Sequence, residues 1–252
     1  MEIEAKPEFS RWANSYSGCD GGNVSGSIWF CGIEFGGGDT EENLNLDPVI
    51  QPPYVDDTYR GKFKTYQYNW KLLKLYSAIL GRPPSAYKTV YVETQAFHKS
   101  SDTFKMNLYP IGFHNESSDL WVKWHYEKTG FPSKSLYQAW CQLSRFGVIR
   151  KWVSENNPKA IVCTGSTYIR EFFMAFAGYS EVFSTFNTKK LDGGNLIWRK
   201  INAGRTVLFV TPFLGQGGLK SDAQLGEFGV NIKSICDDQL FNDWCQYQHS
   251  NA

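Results

Sequence analysis

The segment Asn156-Asn157-Pro158-Lys159-Ala160-Ile161-Val162-Cys163-Thr164-Gly165-Ser166 places the tightest limit on what this chain can fold into. Ala160 to Thr164 is a short apolar run without polar alternation, the mark of a strand covered on both faces. A helical pattern stops just before it, at Asn156-Asn157-Pro158, and Gly165-Ser166 turns directly into another. A buried strand between two helices belongs to an α/β sheet. The same alternation recurs along the chain. Strands are expected at Ser27–Ile33, Thr89–Glu93, Lys105–Tyr109, Ala160–Thr164 and Val207–Thr211, with a hairpin where Leu196–Ile201 and Arg205–Val210 flank Asn202-Ala203-Gly204. Helices are predicted over Tyr68–Leu80, Ser135–Glu155, Ser166–Ala177 and near Asp238–Gln246. Ser133 or Ser135 is the expected cap of the second helix, with Leu136, Trp140 and Leu143 as its apolar stripe. The expected architecture is a three-layer α/β/α sandwich with a central, mostly parallel sheet. It forms a single domain over 1–252, with long loops at about 36–64 and 113–132. Loops of that length in a compact domain are usually functional.

Composition narrows the function classes. The 252 residues carry 26 Lys+Arg against 25 Asp+Glu, a formal charge of +1, so a basic protein that coats nucleic acid is disfavoured. With 42% hydrophobic and 20% charged residues the chain is globular in composition. The longest apolar run, Phe172 to Ala177, is far shorter than the roughly 18 residues a membrane helix needs, and the first seven residues lack a signal-peptide pattern. A cytoplasmic protein without membrane association is the expectation. None of the six cysteines (Cys19, Cys31, Cys141, Cys163, Cys236 and Cys245) forms a C-x-x-C pair, which disfavours a zinc ribbon or a compact iron–sulfur site; neither a metal nor a cofactor is expected.

Two segments carry possible chemistry. In Ile28-Trp29-Phe30-Cys31-Gly32-Ile33-Glu34-Phe35-Gly36-Gly37-Gly38-Asp39 an apolar strand runs into a carboxylate and then three glycines, which permit close backbone approach to a ligand. Ligands of open α/β sheets bind beyond the carboxyl ends of strands. Neither a G-x-G-x-x-G nor a G-x-x-x-x-G-K-[ST] pattern is present. The second segment is the glycine-rich loop Phe213-Leu214-Gly215-Gln216-Gly217-Gly218-Leu219-Lys220-Ser221.

Four motifs taken in order resemble the uracil-DNA glycosylase superfamily: Gly32-Ile33-Glu34-Phe35-Gly36, Lys105-Met106-Asn107-Leu108-Tyr109-Pro110, Pro158 to Gly165, and Val207-Leu208-Phe209-Val210-Thr211-Pro212-Phe213. The resemblance spans about Ser27 to Gly229. It implies a monofunctional DNA glycosylase that hydrolyses the N-glycosidic bond of a flipped base and leaves an abasic site. It also implies roles by position. Glu34 would stabilise an oxocarbenium-like sugar and orient water, while Thr211 stands where many members carry a histidine. Asn107 would read the base edge, with Phe35, Tyr54 or Tyr59 as stacking partner and Gly36 close to the base. Leu214, Gln216 and Leu219 are wedge candidates on the glycine-rich loop, with Gly217 beside them and Lys220 as a phosphate contact. His98 and His114 are further candidates for stabilising the leaving base. The basic residues Lys99, Lys105, Lys189, Lys190, Arg199, Lys200, Arg205 and Lys220 are expected along one sheet edge.

Glu34 replaces the usual Asp or Asn, Phe35 replaces a proline, and Thr211 replaces the histidine, so the implied target is a modified base in double-stranded DNA. Hypermodified cytosine in phage DNA, removed in antiviral defence, is one such target. The chain is expected to act as a monomer. The competing reading is a catalytically silent DNA- or partner-binding module of the same fold. A nucleoside hydrolase ranks behind both.

Overall fold

The structure, a computed structural model, describes residues 4–56, 61–63, 65–115 and 120–240, so Tyr59 and Cys245 lie outside it. Seven strands form one mixed sheet: β1 (Cys19–Gly22), β2 (Ile28–Gly32), β3 (Thr103–Asn107), β4 (Ala160–Thr164), β5 (Asn187–Leu191), β6 (Gly194–Ile201) and β7 (Thr206–Thr211). Their order is β1-β3-β2-β4-β7-β6-β5. The central four, β3, β2, β4 and β7, are parallel, whereas β1 pairs antiparallel with β3 at one edge, β6 antiparallel with β7 at the other, and β5 antiparallel with β6 outside it. Every residue of β2, β3, β4 and β7 is buried, as a sheet covered on both faces requires.

The side-chain period of two sorts these strands into two cores. Trp29, Cys31, Phe104, Met106, Ile161, Cys163, Leu208 and Val210 face one way. They meet α1 (Pro7–Ala13), α5 (Lys134–Leu143), α6 (Arg145–Asn156) and α7 (Ile169–Phe176) through Phe9, Tyr137, Cys141, Phe146, Ile149 and Phe172. Ile28, Phe30, Val162, Val207 and Phe209 face the other way. There α2 (Gln67–Ile79), α3 (Tyr87–Glu93) and α8 (Asp222–Leu240) pack through Leu72, Leu75, Tyr76, Tyr91, Phe228 and Ile232. Helices therefore cover both faces of the sheet. A short α4 (Lys123–Thr129) completes the described elements and interrupts the stretch 113–132, which the sequence presents as irregular.

Three expectations need correction. Tyr87–Glu93 is helical, although Thr89, Val90 and Val92 favour a strand. Pro83 and Pro84 open a tight turn that runs into it, and Val90 and Tyr91 gain burial against α2, which outweighs intrinsic propensity. The long helix expected at Ser135–Glu155 is two helices broken at Ser144, whose hydroxyl accepts from the Asn14 amide at 2.9 Å. Ser133 is the cap, its hydroxyl accepting from the Leu136 N–H. The inward stripe of α5 is Lys134, Tyr137 and Cys141, whereas Leu136 and Leu143 are exposed. A helix the sequence reading does not assign runs from Asp222 to Leu240 into the start of the one expected near Asp238–Gln246, whose residues 241–246 lie outside the described residues. The hairpin of β6 and β7 forms as expected, joined through Asn202–Gly204.

Arg145, at the start of α6, is fully buried and fastens three segments. Its guanidinium donates to the carbonyls of Leu108 at 2.9 Å and Ser17 at 2.6 Å, and also to that of Ala13. The edge of the sheet around β1 and β3 is thereby tied to the helical layer that carries Lys134.

Candidate functional site

After β2 the chain returns to β3 on one side of that strand, and after β3 it crosses to β4 on the other. The order thus reverses at β2, and in open α/β sheets ligands bind at such a point, beyond the carboxyl ends of the strands. Gly32-Ile33-Glu34 and Thr164-Gly165-Ser166 lie at this point, with a Cβ at Gly165 placed 3.8 Å from Ile33. Pairing between β2 and β3 continues past both strands as a ledge. Leu108 N–H donates to Gly32 O, Tyr109 N–H to Ile33 O at 2.9 Å, and Phe113 N–H to Phe35 O at 3.0 Å. Gly36 bridges Phe113 at its end.

Glu34 sits on this ledge with its side chain 8% exposed, and its Oε1 lies 3.0 Å from Lys134 Nζ, itself 4% exposed. Lys134 Nζ also stands 3.9 Å from the centre of the Phe113 ring. The Phe113 ring stacks on His125 at 5.2 Å, and Trp121 and Trp124 stack on the same imidazole at 4.7 and 3.7 Å. His125 is buried, and its Nδ1 accepts the Val122 N–H at 3.1 Å. Burial first, and the charge of Lys134 as well, pull its pKa down to about 4, so at neutral pH the imidazole is uncharged. Burial, with the Glu34 charge as a lesser contribution, pushes the phenols of Tyr109 and Tyr137 up. Lys134 and His125 escape a reading of the sequence: Lys134 looks like a solvated residue at a helix start, and His125 lies in a stretch with no strand or helix assigned.

Asn107 reaches a different set of partners. It pairs in register with Gly32, where a Cβ would stand only 2.5 Å from Asn107 Oδ1, so glycine is what lets the amide lie across β2. Its Nδ2 donates to Gly18 O at 3.2 Å and lies 3.5 Å from Asp20 Oδ2. Lys105 Nζ pairs with the same carboxylate oxygen at 2.6 Å and stands 5.1 Å over the Tyr68 ring. The Tyr68 hydroxyl hydrogen-bonds Thr164 Oγ1 at 2.8 Å. Glu34 and Asn107 therefore share the carboxyl edge of the sheet, with Lys134 beside the first and Gly18, Asp20 and Gly32 beside the second.

The remaining sites fall as follows. Thr211 is fully buried, and its hydroxyl lies within hydrogen-bond distance of the carbonyls of Cys163 at 3.2 Å and Pro212 at 3.0 Å. Phe35 borders a cleft of about 280 Å³ together with Tyr16, Gly18, Asp39, Asn43 and Pro110. Asp39 accepts the Gly112 N–H at 2.6 Å, and burial raises its pKa. Gly36 is exposed, and a Cβ added there would meet no atom within 4 Å, so the space beside it is open. Tyr54 is 45% exposed, its ring 5.6 Å from His98 and 5.8 Å from Lys99 Nζ. His98 in turn bonds Ser100 at 2.9 Å, and His114 packs against Gly38.

On the glycine-rich loop, Leu214 and Leu219 are core residues at 1% and 0% exposure, not surface wedges, because both pack against α2 and α8. Gln216, Gly217 and Lys220 are exposed, as is the ring of Phe213, which packs 5.9 Å from Tyr68. The basic residues do not line one edge. Lys105 lies on β3 while Lys189 and Lys190 lie on β5 at the far side of the sheet, and Arg199 pairs with Glu181.

Cys19, Cys31, Cys141, Cys163 and Cys236 are all free and buried, and among the described residues no group of His, Cys, Asp and Glu side chains is arranged to hold a metal ion. No helix among the described residues is long and apolar enough to cross a membrane. No family model matches the chain, and no curated protein matches it.

Proposed function

We propose that this chain is a monofunctional DNA glycosylase whose carboxylate is Glu34. The observation that carries the reading is a buried carboxylate held by a buried ammonium at 3.0 Å, beyond the carboxyl end of β2 where the strand order reverses. N-glycosidic cleavage leaves positive charge on the sugar and negative charge on the departing base. A fixed carboxylate stabilises the first and orients the water that attacks C1′. Lys134 positions that carboxylate from across the site, and the open space beside Gly36 leaves room for a ligand to approach. Asn107 offers an amide able to pair with a base edge. The departures at Glu34, Phe35 and Thr211 favour a modified base over plain uracil, hypermodified cytosine of phage DNA being the narrower proposal, with antiviral defence as its setting.

A second reading has a specific observation behind it. The Thr211 hydroxyl lies between two backbone carbonyls and is fully buried, which leaves it poorly placed to stabilise a leaving base. A silent binding module of the same fold accommodates this. The two readings separate in one experiment: duplexes carrying uracil or modified cytosines, and modified phage DNA, are incubated with the protein and scored for abasic sites. The glycosylase reading expects base release without strand cleavage, reduced about 10²–10³-fold in Glu34→Gln, the usual cost of removing one preorganised electrostatic group. Release from no substrate, with Glu34→Gln binding DNA as the natural chain does, leaves the binding module.

A further inference from the structure

Lys71 is a buried cation that, unlike Arg145 with its ring of carbonyl acceptors, donates to a single carbonyl among the described residues. The residue is 4% exposed, and its Nζ donates to Leu219 O at 3.3 Å. Among the described residues no carboxylate pairs with it. A buried ammonium without a counter-charge is costly, and in most proteins such a group is paired or binds an anion. Two more lysines converge on the same few residues of chain. Lys74, one turn further along α2, reaches Asp222 Oδ1 at 2.6 Å, and Lys220 follows directly after Leu219. The resulting concentration of positive charge exceeds what the single carboxylate of Asp222 offsets. Burial first, then the charges of Lys74 and Lys220, pull the pKa of Lys71 below its ordinary value. The N–H groups of Lys220 and Ser221 are already engaged by Gln224 Oε1 at 2.8 and 3.2 Å, so an anion here would be held by side chains.

We propose that Lys71, Lys74 and Lys220 form a seat for a backbone phosphate of duplex nucleic acid. This rests on the nucleic-acid reading of the site above and gives it a second point of attachment. A phosphodiester supplies the negative charge that Lys71 lacks. The surroundings favour a polymer over a free ion. The ring of Phe213 is 48% exposed on the same loop, and Trp70 and Tyr87 lie 4.8 and 5.5 Å from Lys74 Nζ, a mixture of cations and aromatic faces suited to a sugar–phosphate chain and its bases. Phe213 packs on Tyr68, whose hydroxyl reaches Thr164 at the carboxyl end of β4, so the seat is joined to that edge of the sheet through two rings.

The test is the salt dependence of binding to a labelled duplex of arbitrary sequence, which needs no base release. Each phosphate that a protein neutralises contributes about 0.9 to the slope of log K against log salt. Lys220→Gln and Lys74→Gln are each expected to weaken binding and flatten the slope, and the double variant to flatten it by about 0.9 in total, the share of the one phosphate they hold. Lys71→Met is expected to weaken binding and flatten the slope as well, and the exposed Lys220 carries the test should Lys71→Met fail to fold. Lys151→Gln is the control: that side chain is 71% exposed on α6, across the sheet, and its slope is expected to match the natural chain. Slopes unchanged in Lys220→Gln and Lys74→Gln, or lowered equally in Lys151→Gln, overturn the proposal. So does binding of inorganic phosphate at Lys71 with no duplex binding. A chain that shows these slopes and releases no base retains the seat and loses the glycosylase reading.

Discussion

His125 shows how far a single residue can depart from its free chemistry. Packed between Trp124, Trp121 and Phe113 and facing the charge of Lys134, its imidazole has a pKa of about 4 in the folded chain, against ~6.5 when unfolded. As pH falls below ~6.5 the unfolded chain takes up this proton first, so the histidine's contribution to stability is complete above that value and fades towards pH 4. The loss across that window is about 2–3 kcal/mol. His125→Phe keeps the stacked ring and removes the titration. Urea midpoints at pH 7 and pH 4.5 are expected to lie closer together in that variant than in the natural chain, and equal separations would refute the assignment. Nothing in the sequence around Val122-Lys123-Trp124-His125 announces this environment, because the rings that create it arrive from Phe113 and Trp121 and the charge from Lys134.

At the scale of elements, β4 and the β6–β7 hairpin were legible because local signals agree: continuous apolar residues, flanking turn residues, and burial on both faces. The stripe of α5 was illegible for an opposite reason. Its inward face carries Lys134, a charge that pattern reading assigns to solvent, because that face closes over Glu34. The glycine-rich loop divides in the same way, its leucines anchoring it and its polar residues facing out. Leu219→Ala is expected to lower stability by about 2–5 kcal/mol, the cost of truncating a buried leucine. Gln216→Ala, on the exposed part, is expected to stay within about 0.5 kcal/mol of the natural chain. Denaturant midpoints of the two variants check this directly, and equal losses would mean that the loop is not anchored through its leucines.

For the whole molecule, burial governs the cysteines. Burial pushes the thiols of Cys19 and Cys141 up to about 12, which leaves about one thiolate in ten thousand at pH 8. Alkylation of both by iodoacetamide at pH 8 is expected to be slow in the native protein and fast in urea, and mass spectrometry of tryptic peptides reads the ratio. Native labelling at the unfolded rate would show that the helical layer opens readily. The formal charge of +1 fits a protein whose basic groups act locally, as at Lys71, Lys74 and Lys220, and not as a general coat. The Glu34–Lys134 pair joins residues 100 positions apart. A loop carrying Gly32 to Gly38, grafted elsewhere, would leave behind the Lys134 ammonium that holds its carboxylate. The ion pair comes into being only when α5 docks beside the end of β2.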